Sequence, residues 1–116
     1  MSGPQTSFPL HLTPLERVRI ARAIERLAAE PRVLRIRLFG SRARGRSRPD
    51  SDLDLAVDVA APRHRDLEGW LAETAFDRDD EPAAPLLQVV PIFAGEPPGR
   101  LARALARESI ELWTRS

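Results

Sequence analysis

The chain has 116 residues, of which 42% are hydrophobic, 30% charged and 5% aromatic, and its formal charge is +1. These values predict one soluble globular domain whose core needs neither a disulfide nor a structural metal. Cysteine is absent, which excludes disulfide scaffolds, zinc–thiolate sites and thiol nucleophiles. No apolar run is long enough to span a bilayer or to form the core of a signal peptide. We therefore expect a cytoplasmic protein with no membrane association.

The beginning of the chain differs from the remainder. Residues 1–12 include Gly3, Pro4 and Pro9 and show no periodicity, which predicts a flexible N-terminal arm that is available to a partner. A single domain is then predicted over residues 13–116.

The first helix is predicted to begin after Thr13 and to end near Glu30. Thr13 is a favourable N-cap, a proline follows it, and Glu16 completes a capping box. Pro31 ends the pattern. Three- and four-residue spacing predicts an apolar face made of Leu15, Val18, Ala21, Ile24, Leu27 and Ala28.

Two alternating segments follow and predict half-buried strands. In residues 33–39 the apolar side chains Leu34, Ile36 and Leu38 alternate with arginines. The segment 52–59 places Leu53, Leu55, Val57 and Val59 on one face and Asp52, Asp54, Ala56 and Asp58 on the other. The carboxylates of Asp52 and Asp54 are therefore predicted to point the same way.

The second half of the chain predicts further helices and strands. A helix is predicted over 65–76 through Leu67, Trp70 and Leu71, followed by a loop over 77–85. A more buried strand is predicted over 86–90, ended by Pro91, and another helix over 100–108. Residues 110–113 predict a short strand or an extension of that helix. The element order predicts an α/β or α+β fold, with a small mixed sheet of three to four strands and helices packed on it.

Charge is distributed in two blocks. All 18 basic residues are arginines, and seven of them lie between residues 32 and 48 with no acid among them. Asp50, Asp52, Asp54 and Asp58 follow immediately. A cationic block that runs into a carboxylate block favours a site for an anion together with a metal cation. The alternative is a pair of solvated surfaces of opposite sign.

The same region has the chemistry of a phosphate site. A strand that leads into Gly40 and Ser41 allows a sharp turn, a close approach to a ligand and exposed backbone N–H groups. Asp52 and Asp54 lie two residues apart, about 6 to 7 Å along a strand. Both carboxylates could bind one or two Mg²⁺ ions, which prefer oxygen ligands and are commonly shared with substrate phosphates.

Phe39-Gly40-Ser41, ten intervening residues and then Asp52-Leu53-Asp54 resemble the signature of nucleotidyltransferases of the DNA polymerase β superfamily. The short chain and the Gly40–Gly45 run resemble the minimal nucleotidyltransferases, the MNT-type antitoxins encoded beside HEPN-domain ribonuclease toxins. The resemblance implies a polymerase β-like fold and a catalytic set of Asp52, Asp54 and Ser41. Gly40, Ser41, Arg42 and Arg44 would bind the nucleotide, and Asp52 and Asp54 the metal. The implied cofactor is Mg²⁺, the substrate a nucleoside triphosphate such as ATP, and the partner a HEPN-type toxin.

The sequence departs from the family pattern at one position. The family usually carries a third carboxylate on a later strand, where this chain has Gln88. An amide oxygen can touch a metal but cannot supply a negative charge or accept the acceptor's proton. Asp58, about 13 Å from Asp54 along the strand, is a poor substitute, and Glu81 or Glu96 could swing in from loops.

Three functions are compatible with these residues. The first is an Mg²⁺-dependent nucleotidyltransferase that transfers AMP to a hydroxyl of a partner protein, as the antitoxin of a toxin–antitoxin pair. Because the chain contains no Tyr, modification of its own tyrosine is excluded. The second is an antitoxin without activity that binds its toxin through an exposed apolar patch. The third, a nucleic-acid-binding module, is disfavoured because the aspartates repel a polyanion. The sequence leaves open whether the protein forms a homo-oligomer or a hetero-oligomer.

The remaining candidate residues predict no separate site. His11 and His64 have no second ligand at metal-binding spacing, so we interpret them as surface or packing residues. Trp70 and Trp113 fall at apolar positions and are interpreted as core or partner-interface residues. No Gly-x-Ser-x-Gly motif supports a serine hydrolase.

Overall fold

The computed structural model describes residues 5–6, 12–39, 53–75, 87–96 and 109–115. Their helices and strands, in chain order, are β1 (Gln5–Thr6), α1 (Pro14–Ala28), β2 (Val33–Phe39), β3 (Leu53–Val59), α2 (Arg65–Ala75), β4 (Leu87–Phe93) and β5 (Ile110–Thr114). The helix predicted over 100–108 and the loop predicted over 77–85 lie outside the described residues.

The described strands form one mixed sheet in the order β1-β5-β2-β3-β4. The β1–β5, β5–β2 and β2–β3 pairs are antiparallel, whereas β3 and β4 are parallel. Helices α1 and α2 contact each other, and they contact β2 and β4 respectively. The predicted α+β fold is confirmed, with four strands of five or more residues and the two-residue β1.

Helix α1 begins as its sequence predicts. The Glu16 N–H donates to the Thr13 hydroxyl oxygen at 3.2 Å, and the Thr13 N–H donates to Glu16 Oε1 at 2.8 Å. This capping box satisfies two of the backbone donors that every helix leaves open at its first turn. It also holds the Glu16 side chain against the fold, since Glu16 is only 1% exposed.

The buried face of α1 differs from the predicted one. Ile24 and Leu27 are buried as expected, but Ile20 and Ala23 complete the face instead of Leu15, Val18 and Ala21. Leu15 is 43% and Val18 47% exposed. Two apolar stripes with the same spacing compete on this helix, and the stripe that continues from the buried Glu16 faces the sheet.

Strand β2 has the predicted bounds but a different first core residue. The register against β3 shifts between Val33 and Arg35, which is a bulge. Val33 is therefore buried, and Leu34 is 43% exposed rather than in the core. Ile36 and Leu38 are fully buried, as the alternation predicts.

Strand β4 is longer and less buried than predicted. It continues through Pro91 to Phe93, and its middle residues are half-buried. Pro91 is tolerated because β4 pairs only with β3 within the described part of the chain. The Phe93 N–H, two residues further along, donates to the Glu96 carboxylate at 3.2 Å rather than to β3. Backbone N–H groups two residues apart on a strand point to the same side. The N–H that a residue other than proline would have at position 91 would therefore point away from β3, as the Phe93 N–H does.

Strand β5 resolves the alternative left open for residues 110–113. The segment is a strand that pairs with β2, and its Trp113 is 2% exposed, so this tryptophan belongs to the core. Gln5 and Thr6 pair with Thr114 and Trp113, an element that the sequence analysis did not predict within the N-terminal arm. Leu12, at the end of the expected arm, is also buried. The division into arm and domain stays a prediction.

Helix α2 confirms its predicted start at Arg65 and ends at Ala75. Leu67 and Leu71 are buried, whereas Trp70 is 37% exposed and so is not a core residue. Within the ranges described, neither helix combines the length and the apolar character that a membrane crossing requires.

Candidate active site

The polar face of β3 carries the described part of the predicted site. Leu53, Leu55, Val57 and Val59 are buried on one face of the strand, while Asp54 and Asp58 are half-buried on the other. This agrees with the predicted alternation. Asp54 lies near the beginning of β3, where the antiparallel register places it opposite Phe39, the last residue of β2.

Asp54 also has a neighbour on the other side. The parallel register of β3 and β4 pairs Asp54 with Gln88, and Leu53 with Leu87. Neighbouring strands lie about 4.8 Å apart, and directly paired residues point to the same face. Phe39, Asp54 and Gln88 thus form one row across three strands, with Gln88 exposed. The register places Gln88 beside Asp54, while its role in binding a metal stays a prediction.

All four predicted nucleotide-binding residues and one of the two predicted metal ligands lie outside the described residues. These are Gly40, Ser41, Arg42, Arg44 and Asp52. In the sequence Gly40 directly follows the end of β2, and Asp52 directly precedes β3. Their predicted roles therefore stay predictions.

Asp54 and Gln88 supply oxygen ligands of the kind that a hard cation such as Mg²⁺ prefers, but these two side chains are too few to form a complete metal site. A carboxylate and an amide oxygen are both ligands that Mg²⁺ accepts. No cluster of three or more His, Cys, Asp or Glu side chains suitable for a metal occurs within the described ranges. Asp54 with Gln88 can therefore supply part of an oxygen ligand set, which Asp52 is predicted to extend.

Asp58 lies on the same face as Asp54 and has a different role. Arg35 Nε donates to Asp58 Oδ2 at 2.7 Å, and Arg37 Nη2 donates to both carboxylate oxygens at 3.1 Å. The side chains of Arg37 and Asp58 are only 14% and 19% exposed. This cluster joins β2 to β3 and occupies Asp58, which agrees with its dismissal as a substitute ligand.

The predictions from the sequence did not include this cluster. The signal was present, since both arginines and Asp58 fall on the polar positions of two alternating strands. A third member of the arginine block, Arg32, forms an ion pair with Glu30 at 2.7 Å. The three arginines of this block in the described ranges are thus each paired with an acid, which weakens the case for a polyanion-binding surface.

Glu96, one of the two loop carboxylates considered as a replacement for the third metal ligand, forms an ion pair with Arg63. Arg63 donates from Nε and Nη2 to its two oxygens at 2.9 Å each, and from Nη1 to Glu68 at 2.8 Å. The Arg63 guanidinium also lies over the Phe93 ring, 4.7 Å from the centroid. The hydrogen bond from Arg63 lowers the pKa of Glu96 below its ordinary value of 4.5. Glu81, the other loop carboxylate considered for this role, lies outside the described residues.

His64 has a structural position at the start of α2. Its Nδ1 accepts a hydrogen bond from the Asp66 N–H at 3.2 Å, and its carbonyl accepts one from Glu68 at 2.9 Å. His64 therefore caps the helix, which is consistent with the interpretation of a surface residue. His11 lies outside the described residues.

An α+β domain with this sheet, whose polar face presents Asp54 beside the end of β2, has the polymerase β-like nucleotidyltransferase fold. The family model described as "Nucleotidyltransferase domain" matches residues 19–112. This span covers most of the chain, and the chain belongs to that family. The family and fold imply a nucleotide substrate and, usually, a divalent metal.

Two solved structures share the fold. One, a toxin–antitoxin crystal structure with AMP-PNP, is 21% identical over 85% of this chain and 73% of that chain, with a TM-score of 0.58. The other, a Sulfolobus solfataricus protein named as a nucleotidyltransferase, is 16% identical over 89% of both chains, with a TM-score of 0.55. No curated protein matches the sequence. At these identities the likeness shows the fold alone.

Proposed function

We propose that this protein is an Mg²⁺-dependent nucleotidyltransferase that transfers AMP from ATP to a hydroxyl group of a partner protein. The observation that carries the proposal is the row formed by Phe39, Asp54 and Gln88. It puts the described carboxylate on the face where β2 leads into the Gly40-Ser41 motif, in a chain of the nucleotidyltransferase family.

In the proposed site each polar residue has one task. Gly40 and Ser41 would bind the triphosphate through backbone N–H groups and the hydroxyl, and Arg42 and Arg44 would neutralise phosphate charge. Asp52 and Asp54 would hold Mg²⁺, which stabilises charge on the phosphates during transfer. Because phosphoryl chemistry relies on positioning and electrostatics, these residues need only hold the α-phosphate in line with the acceptor.

The proposed reaction is a displacement at phosphorus. The acceptor oxygen forms a bond to the α-phosphorus while the bond from that phosphorus to the bridging oxygen breaks, and pyrophosphate leaves. The hydroxyl proton passes to solvent or to a base on the acceptor, since the amide of Gln88 cannot accept it. The chain has no Tyr, so a tyrosine acceptor must belong to another protein.

The partner in this proposal is a toxin. One structural neighbour is a toxin–antitoxin crystal structure with AMP-PNP, and the Gly40–Gly45 run resembles the antitoxins that accompany HEPN-type toxins. AMP transfer to a hydroxyl of such a toxin would silence it. We place this activity in the cytoplasm, where nucleoside triphosphates are available.

The proposal is tested by purifying the protein with the product of the neighbouring gene. The mixture receives Mg²⁺ and ATP labelled on the α-phosphate, and both chains are examined for label. Label on the partner that depends on Asp54 supports the proposal, and peptide mapping identifies the acceptor. Label that persists undiminished with Asp54→Asn overturns the site assignment.

A second candidate function rests on the surface of α1. Leu15 and Val18 are 43% and 47% exposed one turn apart on this helix, and such side chains can anchor a partner protein. In this alternative the protein is an antitoxin that binds its toxin without modifying it. A stable complex without any label, lost on Val18→Asp but not on Ala72→Asp at an exposed position of α2, would favour it.

A further inference from the structure

A cleft lies between the turn that joins α1 to β2 and the beginning of α2. It has a volume of about 330 Å³ and is lined by Glu30, Arg32, His64, Asp66, Leu67 and Trp70. Pockets for small molecules have volumes of about 300 to 1,000 Å³. This cleft is at the lower end of that range, so it suits a single long side chain better than a large ligand.

The cleft is separated from the proposed nucleotide site by the length of a strand. Arg32 immediately precedes β2, whereas Asp54 lies opposite Phe39 at the other end of β2. At a rise of about 3.3 Å per residue, the two ends of this strand are about 20 Å apart. A group bound in the cleft therefore does not touch the reacting phosphates and can act only through the affinity for a partner.

The charges that line the cleft leave it with a net negative charge. Arg32 is matched by Glu30, since its Nε donates to Oε1 at 2.7 Å and its Nη2 to Oε2 at 3.2 Å. His64 Nδ1 accepts a hydrogen bond from the Asp66 N–H, so this nitrogen is unprotonated and the imidazole is neutral. Among the described residues, no basic side chain forms an ion pair with the Asp66 carboxylate.

Trp70 adds an aromatic surface to this unmatched charge. Its side chain is 37% exposed, and it follows Asp66 by one helical turn, so the two are neighbours on the surface of α2. The face of an indole ring attracts ammonium and guanidinium groups more strongly than other aromatic side chains do. The same contact occurs within this fold, where the Arg115 guanidinium lies 5.1 Å from the centroid of the Trp113 ring.

We propose that this cleft binds a lysine or arginine side chain of the partner protein, with its stem against Trp70 and its charged head beside Asp66. Long basic side chains lay their methylene groups on apolar surface and keep the charge near water. An anionic side chain would meet the charge of Asp66, and an apolar one would desolvate that carboxylate without pairing it. The inference rests on the proposed function, which supplies the partner, and adds the chemistry of a docking contact.

The test measures binding and transfer with the full chain and the product of the neighbouring gene. Titration calorimetry gives the Kd of the complex at several salt concentrations, and labelling from ATP gives kcat and KM for the partner. Asp66→Asn removes the charge at constant size, and Trp70→Leu removes the ring but stays apolar. Glu25→Gln, which neutralises an exposed acid of α1 outside the cleft, is the matched control.

We expect Asp66→Asn and Trp70→Leu each to raise the Kd at least about fivefold, because each removes one part of a desolvated cation site. The loss should appear in KM rather than in kcat. Asp66→Asn should also reduce the dependence of Kd on salt, since it removes one charge pair, whereas Asp66→Glu should keep it. Urea midpoints of all variants establish that they are folded.

The inference is overturned if Asp66→Asn binds the partner as Glu25→Gln does, or if its salt dependence equals that of the wild type. Loss of affinity in Trp70→Leu alone would indicate an apolar side chain in the cleft and would overturn the assignment of a cation.

The two readouts separate this inference from the proposed function. If the wild type binds the partner but transfers no label, the proposed activity falls and the Kd values still decide the inference. If label is transferred and both cleft variants behave like the control, only the inference falls. If the wild type does not bind the partner, both fall.

Discussion

Asp54 and Asp58 lie on the same strand and the same face, yet their surroundings differ completely. Asp54 has an aromatic ring and a neutral amide as its neighbours in the sheet. Asp58 is held by two arginines, at 2.7 and 3.1 Å. Neighbouring strands therefore decide which side chains lie beside a carboxylate, and the two arginines hold Asp58 within the fold.

The same pairing explains why the arginines of the block that the structure describes, Arg32, Arg35 and Arg37, do not form a uniform cationic surface. Arg35 and Arg37 lie on the polar face of β2, and both contact Asp58, which is opposite Arg35 on β3. Sheet pairing thus converts part of a sequence-level charge block into a local ion cluster. The cluster joins β2 and β3 in the same register that sets Asp54 opposite Phe39.

Among the proposed substitutions, the one at Asp54 should have the largest effect on AMP transfer. Asp54→Asn should reduce AMP transfer at least about a hundredfold, since it removes one of the two carboxylates proposed to hold Mg²⁺. Asn has nearly the same size as Asp and keeps one acceptor oxygen, so we expect the urea midpoint to stay close to that of the wild type. Label transfer and urea unfolding are measured on the same preparations. Transfer within a few-fold of the wild type would contradict the assignment of Asp54.

Asp58 should show the opposite pattern. Asp58→Ala leaves the Arg37 guanidinium, which is 14% exposed, without its partner, and we expect a loss of about 1 to 3 kcal/mol in the free energy of unfolding. Transfer at a temperature where the variant is folded should remain within a few-fold of the wild type. Asp58→Asn, which keeps one acceptor oxygen, is the matched control and should lose less. A hundredfold loss of transfer in folded Asp58→Asn would show that this carboxylate takes part in the reaction.

Substitution of Gln88 by an acid should increase AMP transfer. Gln88→Asp supplies a carboxylate beside Asp54, and general-base catalysis contributes roughly 10² to 10⁴ when ideally placed. We expect a rise in transfer of about tenfold, with Gln88→Asn unchanged or slower. Initial rates of labelling at saturating partner measure it. Equal rates for Gln88→Asp and Gln88→Asn would contradict the role of this position.

The sequence predicted those parts of the fold whose causes are local. The capping box of Thr13 and Glu16 defines the start of α1, and the alternation in residues 53–59 defines β3 and its polar face. Non-local packing decided the rest. The buried face of α1 depends on which of two equivalent stripes meets the sheet, and β4 passes through Pro91 because it is an edge strand of the described sheet.

The candidate site likewise has features that a short segment of sequence predicts and features that depend on contacts between distant segments. The carboxylate positions were predicted from spacing and from a family resemblance, since both are properties of a short segment. The Asp58 cluster was missed because it exists only when β2 and β3 pair in one register, with a bulge after Val33 that no local pattern indicates. The occupation of Glu96 by Arg63 likewise joins residues 33 positions apart.

The smallest expected effect concerns Glu96, a second carboxylate held by an arginine. Its pKa is lowered by the hydrogen bond from Arg63, so its contribution to stability is present above pH 4.5 and is lost as the pH falls through the lower pKa of the folded state. Glu30, whose pKa is lowered by Arg32, adds a contribution of the same sign.

Glu96→Gln should therefore flatten the dependence of unfolding free energy on pH below 4.5 and leave AMP transfer unchanged. Arg63→Gln removes the cause of the shift and should flatten the same part of the curve, and the double variant should resemble either single one. Urea unfolding at several pH values measures all four proteins. If Glu96→Gln left this slope intact but abolished transfer, Glu96 would belong with Asp54 and not with Asp58, and the ligand set of the site would include a carboxylate released from Arg63.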